Sequence, residues 1–168
     1  MNRLTRLLRH RWLDESDSRR ALPEAALERL QARVAASEKQ HGGEIRIVVE
    51  AGLPLSYLWR KLSARDRAIT LFGKLRVWDT ERNNGVLIYL LLAEHRIEIV
   101  ADRGVAREVP QAHWDAVVAE LREALRAKRF EEGLAHAVDR VDAMLLQHFG
   151  LDGEAHNPNE LPDRPLLG

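Results

Sequence analysis

The most apolar run in the chain is "VLIYLLL", from Val86 to Leu92. It is hydrophobic on both faces of an extended chain, which predicts the central strand of a sheet. "RIEIVAD" follows after Glu94 and His95, and it alternates. So short a connection predicts antiparallel neighbours with the turn at Glu94-His95. Counting outward from Ala93 opposite Arg96 then sets Leu87 opposite Asp102 and Gly85 opposite Gly104. A third strand is predicted over "EIRIVVEA", where Ile45, Ile47 and Val49 alternate with Arg46 and Val48 and β-branched residues dominate. Glu44 and Glu50 read as its solvated ends.

Period-3.6 patterns frame these strands. Leu4, Leu7, Leu8 and Trp12, interleaved with Arg3, Arg6, Arg9, His10 and Arg11, predict a basic amphipathic helix over residues 2–13. It either packs on the domain or lies on an anionic membrane surface. Pro23 opens a helix through about Gln40, with Leu27, Leu30 and Val34 on one face and "HGG" as its stop. Leu55, Leu58, Leu62, Ile69 and Phe72 predict a second helix. Trp114, Val117, Val118, Leu121 and Leu125 mark a third that begins at Pro110. Leu134, Val138, Val141 and Leu145 mark a fourth from Phe130 to Gly150.

A helix lying between the first strand and the central one makes a right-handed crossover, so those two strands should be parallel. The expected fold is α/β: a three-layer α/β/α sandwich whose small mixed sheet joins a parallel pair to an antiparallel hairpin strand. Its expected divisions are a basic amphipathic segment at 1–20, the domain proper at 21–150, and a flexible polar tail at 151–168.

Composition narrows the function classes. Lys plus Arg and Asp plus Glu are equal at 26 each, so no overall field draws the chain to nucleic acid. There is no cysteine, which removes disulfides, thiol catalysis and thiolate metal sites. The arginines at 6, 9 and 11 break any apolar core of a signal peptide, and no apolar run is long enough to span a bilayer, so the chain is expected to be unexported and cytoplasmic. No GxSxG, GxGxxG or P-loop spacing occurs, and the seven histidines form no HxH or HxxxH pair.

The hairpin register brings "WDTERNNG" against "ADRG". Asp79, Glu81, Asn83, Asn84, Asp102 and Arg103 therefore converge on one edge of the domain. Oxygen ligands of this kind suit a hard cation such as Ca²⁺ or Mg²⁺, and Arg103 can hold a phosphate or carboxylate oxygen. Asp, Asn and Gly are equally the ordinary residues of turns. Trp78, directly before Asp79, is expected to pack beneath this loop, with an exposed interface anchor as the alternative.

The block "LRVWDTERNNGVLIYLLLAEHRIEIVADRGV", with the preceding helix and strand and "RFEEGLAHAVDRVDAMLLQHF" after it, resembles the TPM domain family in its short stand-alone bacterial branch, over roughly residues 21–149. The resemblance implies an α/β/α sandwich. For some relatives it also implies acid-phosphatase activity or divalent-cation binding near acidic loop residues; others are thylakoid-lumen or membrane-linked accessory proteins. It carries over Asp79, Asn83, Asn84 and Gly85 before the central strand and Asp102 and Gly104 after the hairpin. Where many relatives read Gly-aromatic-Gly, this chain has Asp102-Arg103-Gly104. The family's usual signal peptide and C-terminal membrane tail are expected to have no counterpart.

Two main functions follow as expectations. The first is a non-catalytic accessory or interaction domain near the cytoplasmic face of the membrane. Its partner would be a larger TPM protein or a LemA-like membrane protein, with peripheral membrane contact through residues 2–13 and no nucleic acid. The second is a divalent-cation-dependent, acid-phosphatase-like hydrolase. In it Asp79 and Asp102 hold Ca²⁺ or Mg²⁺, Asn83 or Asn84 completes the shell, and Arg103 steadies the phosphoryl oxygens, with no nucleophile assigned. A structural calcium-binding module is a third.

Overall fold

The computed structural model describes residues 3–151 and 157–168. Its sheet has the order β3-β2-β1-β4, from β1 (Glu44–Glu50), β2 (Gly85–Leu91), β3 (Arg96–Ala101) and β4 (Leu166–Leu167). β1 runs parallel to β2 and β4, and β2 runs antiparallel to β3. All seven positions of β2 are buried, as a strand apolar on both faces requires.

Helices cover both faces, completing three layers. On one face Ile45, Ile47 and Val49 of β1 and Val86, Ile88 and Leu90 of β2 pack against α3 (Glu24–Ser37), α7 (Gln111–Arg126) and α8 (Phe130–Phe149). On the other, Val48, Leu87, Tyr89 and Leu91 meet α4 (Leu55–Trp59) and α5 (Ala64–Lys74).

The predicted second helix is in fact two. The chain turns at Lys61, whose φ is +57°, and restarts at Ser63. Ser63 and Asp66 close a reciprocal capping box, which favours a new helix start over continuation. A further short helix, α6 (Arg103–Glu108), begins where Asp102 caps it.

The hairpin register differs from expectation by two residues. Leu92–Glu94 form a 3₁₀ turn, His95 takes a left-handed conformation with φ +50°, and Leu91 rather than Ala93 faces Arg96. A shift of two leaves every side chain on its expected face. Val86 now pairs with Ala101, and Asp102 donates its N–H to Gly85 O at 2.9 Å.

Both ends of the chain pack on the domain, the N-terminal one as one of its two expected placements and the C-terminal one against expectation. In the N-terminal segment, α1 (Arg3–Trp12) is fixed by Arg6, which donates to Glu94 Oε1 at 2.6 Å and to Leu62 O at 2.8 Å. His10, buried, accepts the Leu53 N–H at Nδ1 and meets Glu94 through Nε2. α2 (Glu15–Ala21) follows, and its buried Ser18 donates to Gly168 O.

Residues 157–168, expected as part of a mobile tail, form a strap along the free edge of β1. Asn157 donates to Glu38 O and His41 O, Leu161 is buried in the second core, and β4 pairs with Val48 and Val49. Polar composition concealed this because the strap is held mainly by its backbone, whose hydrogen-bonding capacity is the same for every non-proline residue. The remainder of the expected tail, 152–156, lies outside the described residues.

Candidate functional site

The edge formed by the start of β1, the start of β2 and the end of β3 carries the residues singled out by sequence. Glu44 is level with Gly85, and Gly104 donates its N–H to Asn83 O at 2.9 Å. Close approach demands both glycines: a Cβ on Gly85 would stand within 3.0 Å of Val77 O, and one on Gly104 within 3.0 Å of Asn83 O. The loop before β2 is thus clamped onto the segment after β3, as the predicted convergence of the two segments requires.

Within that clamp the candidates separate. Asn84, almost fully buried, donates from Nδ2 to Gly42 O at 2.6 Å, and its N–H goes to Thr80 Oγ1 at 3.0 Å. Asp102 is buried and accepts the Arg103 N–H at Oδ1. Asn84 Oδ1 and Asp102 Oδ2 are buried with no hydrogen-bond partner, an arrangement that normally costs about 1–3 kcal/mol per group. Asn83 contributes its backbone, held at φ +52°.

Asp79 is not brought to this pair by any contact of its own; it is exposed, 3.7 Å from Arg76 Nη1. Glu81 donates its N–H to Glu160, and the Arg103 side chain is exposed. Trp78 does not pack beneath the loop: it is 49% exposed and its Nε1 donates to Gly73 O. Val77, fully buried, takes that place, because the left-handed turn at Arg76 directs the smaller residue inward.

An amide oxygen and a carboxylate oxygen are donor types that a hard cation takes; Asn84 turns its amide towards Gly42 O, Asp102 closes on the Arg103 N–H, and no hydrogen bond joins the two side chains. Among the described residues no three His, Asp or Glu side chains converge in a metal-holding arrangement.

Beneath this edge lies a polar cluster that sequence reasoning missed. Glu44, expected at a solvated strand end, is buried and accepts the N–H groups of Glu160 and Leu161 at 3.1 Å each. Arg46 holds Pro162 O and Arg164 O. Glu38 accepts the Ile45 N–H at 2.8 Å, and burial, reinforced by Glu44, pushes its carboxyl up to about 9. Glu44 is itself raised by burial. The signal was present, since period two places Glu44, Arg46 and Glu50 on one face of β1, which no purely apolar layer would accept. At the other end of that face Glu50 is also buried, bound by Arg67 and by Tyr89 Oη at 2.8 Å.

A second cluster has the residue types of a serine hydrolase but not its wiring. Ser37 Oγ lies 2.9 Å from His41 Nε2 and donates to Asp142 Oδ1 at 2.5 Å. His41 Nδ1 accepts the Gly43 N–H, so its proton is on Nε2 and faces the serine oxygen. A general base needs a lone pair there. Burial holds His41 below its ordinary value, and Ser37 is 5% exposed. The cluster pins the end of α3 to α8.

The family model for the TPM domain matches residues 16–144. The BA42 protein of the psychrophilic bacterium Bizionia argentinensis, solved by NMR, superposes with a TM-score of 0.76 at 24% identity, covering 88% of this chain and 95% of that one. The N-terminal domain of a P. gingivalis protein superposes with a TM-score of 0.64 at 21% identity, covering 79% and 83% respectively. At these identities the likeness is one of fold. None of the curated proteins compared matches the chain.

Proposed function

Since the chain belongs to the TPM domain family, we propose that it is a non-catalytic interaction domain of that type, seated on the cytoplasmic face of a membrane beside a protein partner. The carrying observation is the surface of α1 and α4. Trp12 is 82% exposed and Trp59 72% exposed, with Leu8 and Leu55 also more than half exposed and Arg11, Arg60 and Lys61 in solvent beside them. The segments that flank α4 meet α1, because His10 packs on Gly52 and Leu53, and Arg6 reaches Leu62 O.

Amphipathic rings prefer the headgroup level of a bilayer, and each nearby Lys or Arg adds about 1 kcal/mol at an anionic surface. Arg6 and His10 anchor α1, so its outer side is presented rather than folded away. Among the described residues no helix is long and apolar enough to cross a membrane, which makes the proposed contact peripheral. The partner proposed from the family resemblance is a larger TPM protein or a LemA-like membrane protein.

Vesicle flotation tests the membrane contact. The chain should float with phosphatidylglycerol vesicles, much less with neutral ones, and Trp12→Ser with Trp59→Ser should abolish flotation while leaving the unfolding midpoint in place. Equal recovery of wild type and double variant in the unbound fraction would refute it.

A second reading is favoured by the orphaned oxygens of Asn84 and Asp102: a divalent cation bound there, Ca²⁺ or Mg²⁺, stiffening the loop before β2. Added Ca²⁺ should raise the melting temperature, and Asp102→Asn should remove that rise while Asp79→Asn keeps it. The phosphatase reading further requires cation-dependent phosphomonoester hydrolysis that Asp102→Asn abolishes; no nucleophile is assigned for it.

A further inference from the structure

Two hollows adjoin where the β2–β3 turn, the end of α7 and the joint between α1 and α2 come together. The larger, about 870 Å³, is walled mainly by apolar side chains, among them Leu13, Leu92, Leu125 and Phe130. The smaller, about 390 Å³, is polar and framed by Glu94, His95, Arg96, Arg122 and Arg126. They share His95, Leu125 and Arg126, so one molecule can lie across both. The larger volume falls within the roughly 300–1,000 Å³ of small-molecule sites.

Charge separates the two halves. The acidic groups present are already engaged: Glu94 with Arg6 and His10, and Asp17 with Arg20 at 3.0 Å. Arg126 is paired with Glu123 at 2.6 Å. Among the described residues no carboxylate stands within ion-pair distance of Arg96, Arg122 or Lys128, all exposed at the rim. Uncompensated guanidinium groups thus border an apolar recess.

We propose that this double hollow binds a single-chain amphipathic anion, with the alkyl chain in the recess and a phosphate or carboxylate head against Arg96 and Arg122. Burial of the chain contributes about 0.8 kcal/mol per CH₂. The guanidinium fork matches either head in a two-pronged hydrogen bond, whereas an ammonium head would be repelled by Arg96 and Arg122. Its lining includes none of Leu8, Trp12, Leu55 or Trp59, and the proposal does not rest on the membrane reading.

Calorimetric titration of the full chain with dodecyl phosphate and with laurate, below their micelle concentrations, is the test. Binding of both is expected, with Arg96→Glu plus Arg122→Glu weakening it at least tenfold and Leu13→Asp also weakening it. These positions are exposed or half-buried, and an unchanged unfolding midpoint verifies the fold. Dodecyltrimethylammonium and inorganic phosphate should bind at least tenfold more weakly than dodecyl phosphate. Neutral vesicles carrying lysophosphatidic acid, a single-chain phosphate, supply the second arm: binding of dodecyl phosphate alone assigns a site for a free anion, and binding of both, each lost with the arginine pair, assigns a lipid. No binding of the alkyl anions, equal binding of the alkyl cation or of bare phosphate, or indifference to the arginine pair overturns the proposal. Vesicle binding without dodecyl phosphate binding overturns it too, and leaves the membrane reading standing.

Discussion

Glu38→Gln should stabilise the protein at neutral pH and leave it unchanged in acid. Glu38 is 3% exposed, Oε1 takes the Ile45 N–H, Oε2 has no partner, and its carboxyl titrates at about 9 against a reference of 4.5. In the unfolded chain the group is ionised at pH 7; in the folded one it carries a proton. Each pH unit above 4.5 therefore costs folding about 1.4 kcal/mol, and the cost at pH 7 reaches about 3 kcal/mol. For a carboxyl raised in this way, stability is complete below about pH 4.5 and declines as pH rises towards about 9.

Glutamine keeps the acceptor for Ile45, presents an N–H₂ where the protonated acid has its O–H, and never has to gain a proton. The assay is urea or thermal unfolding of both proteins at pH 5, 6, 7 and 8. At about 2–4 °C per kcal/mol for a chain of this size, the melting temperatures should differ by roughly 6–12 °C at pH 7 and converge towards pH 5. Two parallel pH profiles, or a glutamine variant less stable at pH 7, would show that Glu38 folds ionised and that the reasoning is wrong.

Other outcomes follow from single contacts. His41, held below its ordinary value by burial, contributes stability that is complete above about 6.5 and lost as pH falls below it, so His41→Gln should flatten the acid limb of the stability profile. Gly104→Ala would press a methyl group on Asn83 O and should cost about 1–3 kcal/mol by denaturant titration, whereas Gly73→Ala, in an open stretch of α5, should be neutral or slightly stabilising. Leu161→Ala, at a buried position of the strap, should cost about 2–5 kcal/mol and speed proteolysis of the residues after it. Ser37→Ala should leave any hydrolase activity of the chain untouched.

What the sequence made legible was governed by periodicity. β1 announced itself because its apolar positions repeat every two residues, β2 because it is apolar on both faces, and α3, α7 and α8 because theirs repeat every three or four. Their order alone then dictated the parallel crossover. The failures lie where periodicity carries no information. The turn after Leu91 is set by the left-handed His95, not by any pattern, and the strap is written in backbone hydrogen bonds. Of the proposed site, the meeting of "TERNNG" with "ADRG" survived a two-residue error in register because both segments extend past the strands. Which oxygens point inward was not legible. Asp79 and Asn84 look equally suitable as ligands in sequence, and only the fold of the loop leaves one in solvent and buries the other.

The position of β4 has a consequence for the order of events during synthesis. Arg46 and its strap partner Arg164 are 118 residues apart in the chain. A ribosome moving at about 5–20 residues per second therefore leaves the outer edge of β1 uncovered for several seconds after β1 emerges. During that interval an extended, mostly apolar segment presents unpaired N–H and C=O groups to every other nascent chain nearby. Arg46 and Glu44 would then act as gatekeepers, discouraging intermolecular pairing until the strap arrives and takes up their hydrogen bonds.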